Sequence, residues 1–150
     1  MDVEANKALV RRFYEEVWAR GNVAFTEEVF VDGYVRHDLR PTKAPPGAAG
    51  QALIAEQFRR AFPDLQWRAD LVLGDGDLVA ARWTASGTHS GAWGDVAPTG
   101  RRATFSGVNI FRFGDEGKVV EIWNHRDDFG LREQLGAPVF AGAQPQAEER

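Results

Sequence analysis

The chain has 150 residues, 43% of them hydrophobic, which suits one domain with an ordinary core. The formal net charge of −4 and the lack of a basic stripe exclude nucleic acid as the expected main partner, and the absence of cysteine excludes disulfide and thiolate chemistry. Residues 1–4 lack the basic and apolar regions of a secretory signal, and no apolar run is long enough to span a membrane, so we expect a cytoplasmic protein.

The first part of the chain predicts three helices. Apolar residues recur at helical spacing between Leu9 and Trp18, and a shorter helix is expected to follow as far as Phe30. A brief extended segment at residues 34–35 precedes a loop at 40–50 that is rich in proline and glycine and is a candidate flap. The third helix is predicted from about Gln51 to Phe62.

The hydrophobic period then changes from 3.6 to two, which is typical of strands. Four long strands are predicted, at about 65–73, 78–88, 104–113 and 118–127, with a loop at 89–101. In the first of them, the apolar residues expected to share one buried face are Leu65, Trp67, Ala69, Leu71 and Leu73.

A last short helix is predicted from about Asp128 to Leu135, so that residues 1–136 form the domain and the polar segment 137–150 a disordered tail. Helices on one face of a curved antiparallel sheet give an α+β roll. We expect the curvature to leave a cavity at the open end, and the ten Phe and five Trp include candidates to line it.

Segments spread over most of the chain resemble the SnoaL-like polyketide cyclases of the nuclear-transport-factor-2-like (NTF2-like) superfamily. The resembling segments are residues 6–18, 34–38, 61–65, 82–91, 98–101, 110–113 and 121–136. The resemblance implies a cone-shaped roll of four long strands plus one short strand, covered by three N-terminal helices. It also implies an intramolecular aldol ring closure on a polyketide ester, with one aspartate as acid and base and no metal or cofactor. The expected assembly is a homo-oligomer, a dimer or tetramer packed through the open sheet face.

A dense polar segment ends the last predicted strand. Because side chains alternate along a strand, Trp123, His125 and Asp127 share one face, and Asn124 lies on the other. Trp123 favours its own face as the buried one, whereas Ile122 favours the opposite face. Asp127 is a candidate general base, and a cap of the following helix is the alternative.

Three further polar side chains are candidates to bind the enolate oxygen, namely Asn109, Asn124 and His125. Asn109 is the one polar residue on an otherwise apolar strand face, so it needs a partner, either substrate or a neighbouring side chain. His125 suits proton transfer near neutral pH, and a structural pairing with Asp127 or Asp38 is the alternative.

The expected ligand is a hydrophobic, polycyclic or polyketide-like small molecule. His37 is a candidate at the pocket mouth, with a turn at Asp38 as the alternative. Trp93 lies in a glycine-rich loop and is a candidate to cover a planar ligand. The other candidate wall residues, for which core packing is the alternative, are Tyr14, Trp18, Phe58, Phe62, Trp83 and Phe105.

No histidine or carboxylate spacing typical of a metal site occurs, so none is expected. Three functions remain open. The first is a cyclase or related carbon-acid enzyme, and the second is another enzyme on the same scaffold, such as a polyketide hydroxylase component or an epoxide hydrolase. The third is a non-catalytic binding protein.

Overall fold

The computed structural model describes residues 1–37 and 44–137. Helix α1 spans Val3–Phe13 and continues as a π-helical stretch, Tyr14–Ala19, and a short 3₁₀ turn leads into α2, Thr26–Val29. Helix α3 spans Ala48–Ala61, and α4 spans Asp128–Leu135. Asp38 and the predicted tail from 138 onward lie outside the described residues, as does most of the first half of the proline-rich loop.

Five strands form one sheet in the order β1-β5-β4-β3-β2. They are β1 Phe30–His37, β2 Gln66–Asp75, β3 Leu78–Thr88, β4 Arg102–Phe113 and β5 Val119–Arg126. The four long strands pair antiparallel as predicted, whereas β1 runs parallel to β5 at the edge. The sheet is curved and does not close, which confirms the predicted α+β roll.

The core lies between the concave face of this sheet and the helices α1 and α3. Val10, Phe13 and Val17 project from one side of the first helix at helical spacing and are almost completely buried. They meet the alternate residues of β4, such as Phe111, and of β5, such as Ile122. Burial of these apolar faces of the helices and the sheet against each other stabilises the roll.

The predicted alternation along β2 is correct only in its first half. Trp67 is buried, but Leu71 and Leu73 are 57% and 63% exposed while Val72 is buried. The pairing with β3 shifts register between Ala69 and Leu71, which is a β-bulge. One extra residue reverses which side chains face inward, so the expectation for Leu71 and Leu73 is wrong.

Among the described residues, no helix is long and apolar enough to cross a membrane.

Candidate functional site

A cavity of about 330 Å³ opens between α3, the 89–101 loop and the concave face of the sheet. This volume lies within the range typical of small-molecule sites. The lining residues are Trp18, Gln51, Ile54, Gln57, Phe58, Arg60, Trp67, Trp83, Ala92, Trp93, Gly94, Asn109, Asn124 and Arg126.

Stacked aromatic rings form one wall of the cavity. The ring centroids of Trp18 and Trp67 are 4.3 Å apart, and those of Trp67 and Trp83 are 4.1 Å apart, with interplanar angles of 25° and 26°. The ring centroid of Phe58 of α3 lies 5.9 Å from that of Trp93, which the 89–101 loop contributes to the lining. These planar surfaces suit a flat, apolar ligand.

Two amide side chains lie side by side among the cavity-lining residues of the sheet. Asn109 of β4 is paired in register with Asn124 of β5, so both project to the same face. Asn109 Nδ2 donates a hydrogen bond of 2.9 Å to the hydroxyl oxygen of Tyr14. Burial raises the pKa of Tyr14 well above its ordinary value, so this hydroxyl stays neutral.

A guanidinium projects into the cavity from the end of β5. Arg126 Nε and Nη2 donate hydrogen bonds of 2.5 and 3.2 Å to the two carboxylate oxygens of Asp128. The guanidinium carbon also lies 4.6 Å from the centroid of the Phe58 ring. The ion pair and the ring therefore hold Arg126 in one orientation.

The face of β5 that contains His125 and Asp127 points away from the cavity. His125 and Asp127 are exposed, and the cavity is lined by Asn124 and Arg126. Asp127 caps α4, because its Oδ1 accepts a hydrogen bond of 2.8 Å from Gly130 N. The sequence left the inward face open between Trp123 and Ile122, and the structure buries Ile122 in the core.

His37 also lies outside the cavity. Its Nε2 is 2.8 Å from Glu121 Oε2, and its ring stacks on Trp123 at 5.0 Å, on the convex face of the sheet. The contacts of Glu121 with His37 and Arg112 hold the pKa of this carboxylate below its ordinary value. The prediction that His37 lies at the pocket mouth is therefore wrong.

The predicted wall residues divide into two groups. Trp18, Phe58, Trp83 and Trp93 line the cavity, as do Asn109 and Asn124. Tyr14, Phe62 and Phe105 belong instead to the buried core and are at most 3% exposed. For these three, the alternative of core packing is the better description.

Several lining residues were not predicted. Gln51 and Arg60 lie on α3, Trp67 on β2 and Arg126 on β5. The signal for Arg126 was its shared parity with Ile122 and Asn124, which would have identified it once Ile122 was assigned to the core. Gln51 carried no such signal, because a glutamine near the start of a helix is ordinary.

Among residues 1–37 and 44–137, no cluster of three or more histidine, aspartate or glutamate side chains has a metal-binding arrangement.

Comparisons with known proteins agree on the family and the fold. The family model of the SnoaL-like polyketide cyclases matches residues 8–135. AclR, a proposed hydroxylase from Streptomyces galilaeus, is 30% identical with a TM-score of 0.77, and the match covers 90% of this chain and 98% of AclR. IdmH, a proposed polyketide cyclase from Streptomyces antibioticus, is 29% identical with a TM-score of 0.73, covering 88% and 99%.

TsrD from Streptomyces laurentii is 25% identical with a TM-score of 0.81, and the match covers 91% of this chain and 98% of TsrD. Among curated proteins, none matches the chain.

Proposed function

Because the chain belongs to the SnoaL-like polyketide cyclase family, we propose that it binds a hydrophobic, polyketide-like molecule in the cavity and closes a ring in it by aldol addition. The observation that carries this proposal is the cavity of about 330 Å³ with stacked tryptophans on one side and two adjacent asparagines in its lining. The aromatic wall would hold a planar or folded chain, and the amides would hydrogen-bond its carbonyl oxygens.

The proposed reaction begins with removal of a proton from a carbon next to a carbonyl group. The resulting enolate oxygen would accept hydrogen bonds from the side chains of Asn109 and Asn124. The nucleophilic carbon then attacks a second carbonyl carbon of the same molecule, forming the new carbon–carbon bond, and the alkoxide takes up the proton. No cofactor is needed for this sequence, because the carbonyl groups themselves accept the negative charge, and holding the chain folded supplies the proximity.

Two neighbouring carboxylates are candidates for the acid–base group. The sequence favours Asp127, but its carboxylate is exposed and caps α4. Asp128 is half-buried and bonded to Arg126, a residue that lines the cavity. Proximity to the cavity therefore favours Asp128, and we propose it as the general base with Arg126 as the residue that positions it.

The pair Asp128→Asn and Asp127→Asn tests this assignment with matched chemistry. The probe is the exchange of the methyl protons of 2-acetylnaphthalene for deuterium, followed by NMR in D₂O at neutral pH. We expect the wild-type protein to accelerate exchange above buffer, Asp128→Asn to lower the rate by about 100-fold or more, and Asp127→Asn to retain it. Asparagine is as good a helix cap as aspartate, so Asp127→Asn should keep its stability.

Two other outcomes would contradict parts of this proposal. Loss of exchange in Asp127→Asn alone would restore Asp127 as the base and contradict the assignment of Asp128. If the protein binds 2-acetylnaphthalene without accelerating its exchange, the proposed enzymatic activity is contradicted and a non-catalytic binding protein is supported.

A second candidate is a role in polyketide hydroxylation, which is favoured by the 30% identity to a proposed hydroxylase. Uptake of dissolved oxygen in the presence of an aromatic ligand would support hydroxylation, because aldol closure consumes no oxygen.

We also propose that two copies of the chain pack through the convex face of the sheet. Apolar side chains on this face that are 38–63% exposed are Val35, Leu71, Leu73 and Val108. Charged groups of both signs surround them, among them Arg112 and Glu121. A face that combines exposed apolar side chains with both signs of charge can pair with a second copy of itself.

A further inference from the structure

The ionisable side chains that the described residues contribute to the cavity lining are cations. Within the described residues, the lining contains Arg60 and Arg126 but no aspartate, glutamate or histidine. The chain as a whole has a formal charge of −4, so this cationic lining runs against the overall composition. The remaining polar lining consists of the amides of two glutamines and two asparagines. Such a lining is rich in hydrogen-bond donors and lacks anions.

Arg126 has unused hydrogen-bonding capacity directed away from Asp128. The carboxylate of Asp128 engages Nε and one N–H of Nη2. A guanidinium has five N–H donors, so Nη1 and the second N–H of Nη2 remain for another acceptor. Because Asp128 and the Phe58 ring already fix the guanidinium, a ligand would bind it with little further loss of side-chain freedom.

Gln51 supplies a second, independent observation. It is only 4% exposed and lines the cavity, and its side chain has no hydrogen-bond partner within the described part of the chain. An amide that faces the cavity without a protein partner is free to hydrogen-bond a polar group of a ligand. Its neighbour on α3, Arg60, likewise has no ion pair among the described residues, whereas Arg59 donates to the carbonyl oxygens of Trp18 and Ala19.

We infer that the ligand is an aromatic or polyketide acid with a free carboxylate, which binds the open edge of Arg126 in the field of Arg60, with Gln51 as a further hydrogen-bonding partner. The inference rests on the proposed small-molecule function of this cavity and specifies the ligand's class. The two parallel N–H groups of an arginine edge match the two oxygens of a carboxylate, which an ester or amide cannot reproduce. It differs from the ester substrate that the family resemblance implies.

Two ligands of equal shape test the charge of the preferred ligand. The probes are anthraquinone-2-carboxylate and its neutral carboxamide, with dissociation constants measured from the quenching of tryptophan fluorescence. We expect the wild-type protein to bind the carboxylate about tenfold more tightly than the carboxamide at low salt, and the preference to shrink as salt is added. The Arg126→Gln variant should lose most of this preference, and the field of Arg60 accounts for what remains.

Three further variants separate the proposed contacts from an effect on folding. Arg126→Gln removes the ion pair of Arg126 with Asp128, so Arg126→Gln combined with Asp128→Asn removes both members of that pair and should also reduce the preference. Arg102→Gln is the matched control, because Arg102 is exposed on β4 and does not line the cavity; it should keep the full preference. Gln51→Leu should lower the affinity for the carboxylate probe severalfold.

The outcomes separate this inference from the function on which it rests. Equal affinity of the wild-type protein for both probes would overturn the inference that the ligand carries a carboxylate, and so would an undiminished preference in the double variant. Either result would leave the proposed binding of aromatic ligands standing. Failure of both probes to bind would overturn the aromatic-ligand function and this inference with it.

Discussion

Trp83 and Gly107 face each other across β3 and β4, and the pair shows how one residue without a side chain shapes the aromatic wall. A Cβ placed on Gly107 would lie 2.5 Å from Cζ2 of Trp83 and would also collide with the carbonyl oxygen of His125. The indole of Trp83 therefore rests directly on the backbone of β4. Its position in the stack with Trp67 depends on that close approach.

Gly107→Ala is expected to move Trp83 and to destabilise the fold by about 1–3 kcal/mol, because the added methyl group overpacks a site without free volume. Urea denaturation measures the loss of stability, and the affinity for anthraquinone-2-carboxylate should fall in parallel. Gly33→Ala is the control, since no atom lies within 4 Å of the added Cβ at that position. If Gly107→Ala were as stable as Gly33→Ala, the close contact would not constrain Trp83.

The side chains of β5 show how much strand alternation predicts about individual residues. Alternation correctly separated Asn124 from His125 and Asp127, since strand geometry requires it. The choice of the inward face depended on whether Ile122 or Trp123 entered the core, and the structure buries Ile122. Trp123 is instead partly covered on the convex face by the ring of His37, a neighbour from β1 that no local pattern identifies.

The strand β2 and the 89–101 loop show how elements depart from their sequence patterns. The bulge at Asp70 could not be predicted from alternation, because the polar contacts that accompany it come from β3. Asp70 accepts hydrogen bonds from Arg82 and Thr84 of that strand and from Arg68 of its own. These bonds also hold the pKa of Asp70 below its ordinary value.

The 89–101 loop is closed at its base by one buried histidine. His89 N donates to Arg101 O and Gly100 N donates to His89 O, both at 2.8 Å. Thr99 N donates to His89 Nδ1 at 3.2 Å, so this nitrogen acts as an acceptor and the ring is neutral. Burial lowers the pKa of His89, which keeps it neutral. This loop carries Trp93, so the histidine also supports the cavity.

The stability of the protein should decrease on acidification through the ordinary histidine pKa. A histidine whose pKa is lowered by folding stabilises the folded state fully above about pH 6.5, and this contribution is lost as the pH falls towards the lowered value. Urea denaturation between pH 7.5 and 5 should show a smaller pH dependence in His89→Asn than in the wild-type protein. Phe129→Asn, in which an exposed side chain without a titratable proton is replaced, is the control and should keep the wild-type slope. Equal slopes in all three proteins would contradict a role for His89.

At the scale of the whole molecule, the curved sheet has two faces with different environments. Its concave face, with the helices, encloses the core and the cavity, and the order of helices and strands was sufficient to predict this. The lining could be predicted only in part, because Gln51, Arg60, Trp67 and Arg126 meet from three separate elements. Their convergence is a property of the tertiary structure rather than of any one segment.

The convex face should form a symmetric dimer, and charge placed on one of its exposed apolar side chains should separate the two copies. In a twofold interface each substitution occurs twice, so Leu73→Glu introduces two carboxylates into one apolar contact and is expected to raise the dimer dissociation constant by at least about 100-fold. Sedimentation velocity over a range of protein concentrations measures this constant. Phe129→Glu is the matched control, because Phe129 is 54% exposed on α4, away from the sheet face, and its replacement should leave the dimer intact. A wild-type protein that sediments as a monomer at high concentration, or a dimer disrupted only by Phe129→Glu, would contradict this face as the interface.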